Sequence, residues 1–265
     1  MSRCERADEG GDLKQASAPT LRMSAPLELH RYRRIVVLTG AGVSVPSGLR
    51  PYRGPGGLWT ESPELTAMAT LAAAQADPMS TWRAFGSFRK PVVDAVPNEA
   101  HAALARAEQS LEGDAELIVL TQNIDGLHQR AGSTRVVELH GNLLRTKCSN
   151  NACDLPPFGD DTQPDALPLC PRCGSPLRPD IVLFDEPMPA KPEWDAKRAL
   201  RDCDLFVAVG TSGTVSPASN FVRSAEYAGA RTVFVNLEPL DPPNPAFHES
   251  HLGPAEQLLP TLFGV

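Results

Sequence analysis

The chain has 265 residues, enough for one large domain or two small ones, and long enough to bury a core without disulfides. Apolar residues make up 42% and charged residues 22%, and 25 basic against 32 acidic side chains leave a formal charge of −7. The longest apolar runs are too short to cross a bilayer, and an acidic chain is a poor match for a phosphate backbone. These features argue against membrane-spanning and nucleic-acid-binding roles.

Residues 1–26 are polar, with no apolar stretch to serve as a signal-peptide core, and read as a disordered tail of a cytoplasmic protein. In that reducing compartment six cysteines read as metal ligands or plain thiols. Residues 34–39 (RIVVLT) form an apolar, β-branched run that ends at a glycine-rich turn. Unbroken apolarity of this kind suits a strand covered on both faces. Residues 54–96 hold no clear strand and predict short helices inserted beside the sheet. Asn98 caps a helix over 98–112, with Ala100, Leu104, Ala107 and Leu111 on one face. Further strands are predicted at 116–121, 136–139, 205–209 and 232–237, with a helix over 218–228 behind Pro217. The alternation predicts an α/β fold, a Rossmann-like doubly wound parallel sheet whose ligands sit at the strands' carboxyl ends. Residues 148–179, rich in Pro, Asp and Cys, lack periodicity and need something other than packing to hold them.

That something is legible. Cys148-x4-Cys153, sixteen residues, then Cys170-x2-Cys173 gives two close thiol pairs joined by a loop. This is the donor pattern of a tetrahedral Zn²⁺ site, structural because four thiolates leave no open position. After the first strand, Gly40-Ala41-Gly42-Val43-Ser44 allows close backbone approach to a pyrophosphate, although the third glycine of the usual fingerprint is replaced by Val45. Gln122, Asn123 and Asp125 follow the next strand, His140 ends another, and Gly210-Thr211-Ser212 and Asn236-Leu237-Glu238 follow two more. Polar groups at five strand ends suit the grip of a dinucleotide, and an imidazole there suits proton transfer.

From residue 30 onward the chain resembles the sirtuin family, NAD-dependent protein deacylases. The matching segments are GAGVSVPSGLRPYRGPGGLW (residues 40–59), PNEAH (97–101), TQNIDGLH (121–128) and ELHG (138–141). The four cysteines, LRPDIVLFDE (177–186), GTSGTVSPA (210–218) and NLEP (236–239) complete the set, closest to the bacterial deacylase-type branch. The resemblance implies that an acyl-lysine carbonyl attacks C1′ of the nicotinamide ribose. Nicotinamide leaves, and collapse yields free lysine and 2′-O-acyl-ADP-ribose. His140 is then the general base, and Asn123 orients ribose and water. Gln122 holds a ribose hydroxyl, while Ile124 and Asp125 line the nicotinamide pocket. Gly40, Ala41, Gly42, Ser44, Arg53, Trp59, Gly210, Thr211 and Ser212 meet the rest of the cofactor. Asn236, Leu237 and Glu238 take the adenosine ribose, and Ala255 lies near adenine. Ile181, Val182 and Phe184 offer an extended edge to acylated-lysine proteins, the expected partners.

The resemblance also implies an organisation. A NAD-binding domain spans 27–146 and 178–265, with the helical insertion at about 55–96, and a zinc-binding module spans 147–177. Three departures stand out. The family's Pro-Asp or Pro-Thr before Phe-Arg reads Arg50-Pro51-Tyr52-Arg53, with Pro51 stiffening the loop. The Trp-Phe-Gly-Glu of the substrate strand reads Leu183-Phe184-Asp185-Glu186. Desuccinylating members carry Tyr-x-x-Arg in the insertion, and alignment puts Gly86 and Arg89 there. Arg89 would keep half of a carboxylate grip, and Gly86 would widen the pocket toward longer apolar chains. Deacetylation with weak desuccinylation is expected. The rival readings are mono-ADP-ribosyl transfer and a sensor that binds NAD or ADP-ribose without turnover.

Overall fold

The computed structural model describes residues 25–54, 56–213 and 215–265. The tail expected over 1–26 therefore lies outside the described residues except for its last two, as does Cys4. Strand β1 (Arg34–Thr39) has neighbours on both sides and buries five of its six side chains. After a 3-10 turn at Ala41–Ser47 the chain leaves the sheet for four helices, α1 (Leu58–Glu61), α2 (Pro63–Met68), α3 (Leu71–Ala76) and α4 (Met79–Asp94). It returns through α5 (Glu99–Ser110), where Ala100 N–H donates to the Asn98 side chain and Asn98 N–H donates to His101.

Strand β2 (Glu116–Thr121), the single turn α6 (Leu127–Arg130) and β3 (Val136–Glu138) follow. Next, β4 (Gly141–Cys148), β5 (Phe158–Gly159) and β6 (Leu177–Ile181) make a separate antiparallel sheet in the order β5-β4-β6. The chain closes with α7 (Ala190–Arg201), β7 (Leu205–Val209), α8 (Phe221–Tyr227), β8 (Arg231–Asn236), β9 (Glu249–Leu252) and α9 (Ala255–Phe263). Behind Pro217 the expected helix opens as a 3-10 turn at Ala218–Asn220 before α8 begins.

The large sheet runs β3-β2-β1-β7-β8-β9, parallel throughout. Its apolar runs are continuous because the pleat sends alternate side chains into two cores. Ile35, Val37, Leu117, Val119, Val207 and Val233 pack under α5 and α9. Val36, Leu38, Leu120, Phe206, Ala208 and Phe234 pack under α7 and α8. Full burial of each Val, Leu, Ile or Phe contributes roughly 1.5–3 kcal/mol, so the two layers fix this sheet firmly. The chain moves outward from β1 in one direction to β2 and β3, and later in the other to β7, β8 and β9. That reversal opens a crevice beyond the carboxyl ends of β1 and β7. The sixth strand, β9, was not predicted. Its Glu-Ser-His-Leu sequence lies at the sheet edge, alternately half-buried and exposed, and carries no apolar run.

The insertion and the small sheet share a different core. Ala84, Phe85 and Val92 of α4 pack with Leu143 of β4, Ile181 of β6 and Ile124. Trp82 is buried and donates its indole N–H to Leu177 O at 2.9 Å.

Candidate functional site

A cavity of about 660 Å³ lies where the strand ends, the insertion and the small sheet meet. Its floor is the β1–β7 crossing. Gly42 N–H donates to Gly210 O at 3.0 Å, and a Cβ on Gly40 would stand 2.6 Å from that same oxygen. Only glycine fits such an approach, and Gly210 also sits at φ +60°. Ala41, Arg53, Trp59, Thr211 and Ser212 line the same cavity, as do Gln122, Asn123 and Ile124 beyond β2. Asn236, Leu237 and Glu238 beyond β8 line its far end. The side-chain amide of Gln122 donates to Thr211 Oγ1 at 3.0 Å and ties the ends of β2 and β7 together.

His140 lines the cavity between β3 and β4. Its Nδ1 lies 3.0 Å from Gln122 O, and a carbonyl can only accept, so Nδ1 carries the proton. Nε2 is left with its lone pair. Burial pushes the His140 pKa below its usual value, with the Gln122 hydrogen bond acting the other way. The imidazole is therefore neutral at pH 7 and ready to accept a proton.

A buried polar layer supports these groups. Asn123 donates from Nδ2 to Gly40 O and to Ser44 Oγ, both at 3.1 Å, and its Oδ1 is buried without a partner. Ser44 Oγ donates to Asp125 Oδ2 at 2.8 Å. His101 Nδ1 receives Asn98 N–H, so its Nε2–H faces Ser44 Oγ at 3.4 Å. Thr39 Oγ1 donates to Thr121 Oγ1 and receives His128 Nε2–H, each at 2.9 Å. Burial depresses His101 to about 4 and His128 well below its usual range, and it raises Asp125. Ser44 and Asp125, expected on the wall, thus stand just behind it.

Three expectations need correction. Ala255 opens α9 and packs into the core under the sheet, off the cavity wall. Arg89, expected to face an acyl carboxylate, is 1% exposed and points the other way. Its guanidinium donates to Thr162 O, Arg145 O and Thr146 Oγ1 at 2.7–3.0 Å, lies 3.2 Å from Asp160 and covers the Trp82 ring. Both terminal nitrogens are thus engaged away from the cavity, and the remaining Nε is buried without a partner. Gly86 is also turned from the cavity, since a Cβ there would meet Gln163 at 2.9 Å.

Third, the run at Ile181, Val182 and Phe184 lines the cavity but is not a free edge. Val182 N–H donates to His140 O, Leu183 N–H to Glu186 Oε2, and Phe184 pairs through both backbone groups with Ala69 and Leu71. Asp185 adopts φ +63°, a left-handed conformation natural to the glycine of the family pattern. Of the two phenylalanines the sequence puts near the acyl pocket, Phe85 lines the cavity and Phe88 does not, and Tyr52 is a wall residue that sequence reasoning missed. The Tyr52 departure within Arg50-Pro51-Tyr52-Arg53 was the available signal.

The four Sγ atoms of Cys148, Cys153, Cys170 and Cys173 lie within 4.8 Å of one another. Cys148 and Cys173 are 3.5 Å apart, and Cys153 and Cys170 3.7 Å. Thiolates about 2.3 Å from one Zn²⁺ at tetrahedral angles would show such separations, so the donor set fits zinc. Among the described residues, only Leu177 and the half-buried Leu155 add apolar packing to the thiols. Cys203 is buried elsewhere and donates to Leu205 O.

Fold and site define a nucleotide-binding doubly wound α/β protein with a four-cysteine module. The Sir2 family profile matches residues 40–217. The NAD-dependent protein deacylase of Escherichia coli (strain K12) is 42% identical over 229 residues, 86% of this chain and 80% of that one. NAD-dependent protein deacylase 2 of Pyrobaculum aerophilum is 44% identical over 211 residues, 78% of this chain and 81% of that one. Among solved structures, a Sir2 homolog–NAD complex superposes with a TM-score of 0.77 at 33% identity, covering 89% of this chain and 90% of that one. A Sir2–p53 peptide–NAD⁺ complex gives 0.70 at 31%, covering 87% and 92%. The chain belongs to the Sir2 family. Among the described residues no helix is long and apolar enough to cross a membrane.

Proposed function

We propose that this chain is an NAD-dependent protein-lysine deacylase acting on acylated peptide segments, with one structural Zn²⁺. The observation that carries the reading is His140, held by Gln122 O so that Nε2 keeps its lone pair, on the wall of the cavity that Asn123 also lines. Bound NAD supplies an activated bond between C1′ and nicotinamide, whose cleavage delivers the ADP-ribosyl group to the acyl oxygen.

The protein's part is positional and proton-handling. The glycine crossing of β1 and β7 receives the pyrophosphate, because bare backbone there accepts close approach. Asn236 and Glu238 take the adenosine end. Gln122 and Asn123 orient the nicotinamide ribose, and Asn123 Oδ1 gains the donor it lacks. Ser44 and Asp125 stiffen Asn123 from below. His140 Nε2 takes a proton from a ribose hydroxyl as the acyl group moves to it, a role worth roughly 10²–10⁴ in rate. Trp59, Phe85 and Phe184 keep water from the reacting centre. The acyl chain lies between these rings and Ile181, with Val182 near the peptide.

The NAD-binding body (27–146 and 178–265) and the zinc module (147–177) remain the organisation we favour, as does a reducing cytoplasmic setting for the four thiols. The test is nicotinamide release from NAD with an acetyl-lysine peptide, and mass spectrometry of both products. Free lysine with 2′-O-acetyl-ADP-ribose is expected. ADP-ribose found on the peptide would establish ADP-ribosyl transfer instead, and NAD binding without turnover would establish a sensor.

A further inference from the structure

His140 has its side chain tied to one wall and its backbone to the other. Nδ1 is held by Gln122 O beyond β2, while the His140 carbonyl receives Val182 N–H from just beyond β6 at 2.9 Å. The strand that leads to it, β3, is three residues long, lies at the edge of the large sheet and buries none of its side chains fully. Gly141 then turns at φ +82° into β4, so close to β6 that a Cβ there would stand 2.1 Å from Asp180 O. Leu139 anchors this corner in the core of the large sheet, and its tie to β6 is polar.

Arg145 completes that tie. The pairing of β4 with β6 breaks register between Asn142 and Thr146, and Arg145 lies in the break. Its guanidinium forks. Nη2 meets Glu138 Oε2 at 2.7 Å, and Nε donates to Asp180 Oδ2 at 2.9 Å. Glu138 stands two residues before His140, and Asp180 two residues before Val182. One side chain therefore joins the residues that flank the His140–Val182 hydrogen bond. The two acidic side chains are only 12% and 13% exposed. Glu138 Oε1 also receives the amides of Gln129 and Asn142, and Asp180 Oδ1 lies 3.5 Å from Lys147 Nζ. Removing the guanidinium leaves each carboxylate those partners, but it breaks the link between the two and leaves nearly buried acids short of a counter-charge.

We infer that Arg145 is a positioning residue for deacylation: by joining Glu138 to Asp180 it holds His140 in place relative to Ile181 and Val182 on the acyl wall. The inference rests on the deacylase reading, in which His140 Nε2 takes the ribose proton. Proton transfer needs the base within hydrogen-bond reach, and a displacement of about 1 Å can cost on the order of 10² in rate. The glycine crossing of β1 and β7 makes no contact through Arg145, so cofactor affinity should not follow.

The test is a double-mutant cycle on zinc-loaded full-length protein, with Arg145→Met made alone and together with His140→Ala, read by steady-state deacetylation of one acetyl-lysine peptide. Arg145→Met should lower kcat about ten- to a hundredfold, with peptide KM and ADP-ribose Kd each within about twofold of native. In the His140→Ala background the same change should cost less than about twofold, because the base it positions is gone. Arg145→Lys keeps the charge but cannot fork to two carboxylates, and should restore part of the loss. It also takes the place of the methionine variant in both backgrounds if that protein does not fold. An unchanged kcat, a loss carried by KM or by ADP-ribose affinity, or equal losses in the two backgrounds would overturn the assignment. A native chain without deacetylation would remove the deacylase reading and this inference with it. Native turnover with additive losses in the cycle would remove only the role of Arg145.

Discussion

The two walls of the cavity are built on different physics. The nucleotide wall is the end of a six-stranded parallel sheet with apolar layers on both faces, and its loops touch at glycine-only distances. The acyl wall belongs to four helices and a three-stranded sheet, joined by one small apolar cluster and a few buried polar links. Arg89 and Trp82 are the main links, both reaching from α4 to the strand segments around the thiols. Two apolar layers hold the first wall, and its buried polar links only join strand ends that the sheet has already fixed. The second depends on side chains whose partners must all be present, so it is the wall on which substrate preference can change without loss of the fold.

The largest expected effect tests that dependence. Cys170→Ser, or chelation, should release the metal and lower stability steeply, since structural zinc contributes apparent binding energies of about 10–16 kcal/mol in small peptides and this module has little core behind it. Metal analysis and thermal unfolding check it. The comparison predicts an order of events: the acyl wall and α4 lose hydrogen-exchange protection first, while β1, β2 and β7 keep theirs. Simultaneous loss on both walls would show that they form one cooperative unit.

His140→Ala should remove roughly 10²–10⁴ of turnover while ADP-ribose affinity stays within a few fold, because the side chain handles a proton at the junction of the walls. The native pH profile should carry the matching limb. The folded pKa lies below the ordinary histidine value, so the neutral base persists through pH 7 and turnover falls only on acidification below about 6.5. An acid limb centred above that value would contradict the burial of His140.

What the sequence revealed divides along the same line. Unbroken apolar runs exposed five strands of the doubly wound sheet, because two-sided burial leaves no alternative composition. The edge strand β9, half solvated, left no such trace. Cysteine spacing revealed the metal site because tetrahedral geometry constrains spacing directly. Arg89 could not be placed from its motif. Whether a helix-borne arginine faces a cavity or its helix's other neighbour depends on helix rotation, and α4 rotates it onto Thr162, Arg145 and Asp160. Likewise Ser44 and Asp125 follow strand ends as wall residues do, yet the tight β1–β7 crossing sets them one layer down.

Acyl selectivity follows from that rotation. Among the described residues that line the cavity, Arg53 is the only arginine or lysine, whereas Asp185, Glu186, Glu238 and Asp241 are acidic. A succinyl carboxylate would be desolvated against apolar rings with Arg89 turned away and Arg53 expected at the cofactor. A missing charged hydrogen bond costs about 1.5–3 kcal/mol, so kcat/KM for acetyl-lysine should exceed that for succinyl-lysine by ten- to a hundredfold or so on one peptide. Gly86→Tyr should not narrow the gap, since that side chain would stand against Gln163. Parity between the two acyl groups would mean that α4 can turn Arg89 inward, and that the acyl wall is softer than its contacts imply.

The smallest effect concerns Asp185, where the acyl wall departs from its own family pattern. At φ +63° an L-residue with a Cβ is strained by roughly 1–2 kcal/mol, and aspartate tolerates the region better than most because its carboxylate bonds locally. Glycine removes the strain but gains entropy in the unfolded chain, which returns part of the benefit. Asp185→Gly should therefore stabilise the protein by about 1 kcal/mol or less, a rise of roughly 2–4 °C in Tm for a chain of this size. Thermal unfolding of the zinc-loaded protein measures it. Equal or lower stability would show that the carboxylate has a local partner in the folded state that outweighs the strain. A rise in Tm with an unchanged KM for peptide would place the strain outside the substrate path. A rise accompanied by a shifted KM would locate it on the strand that the peptide meets, where the softer wall carries its specificity.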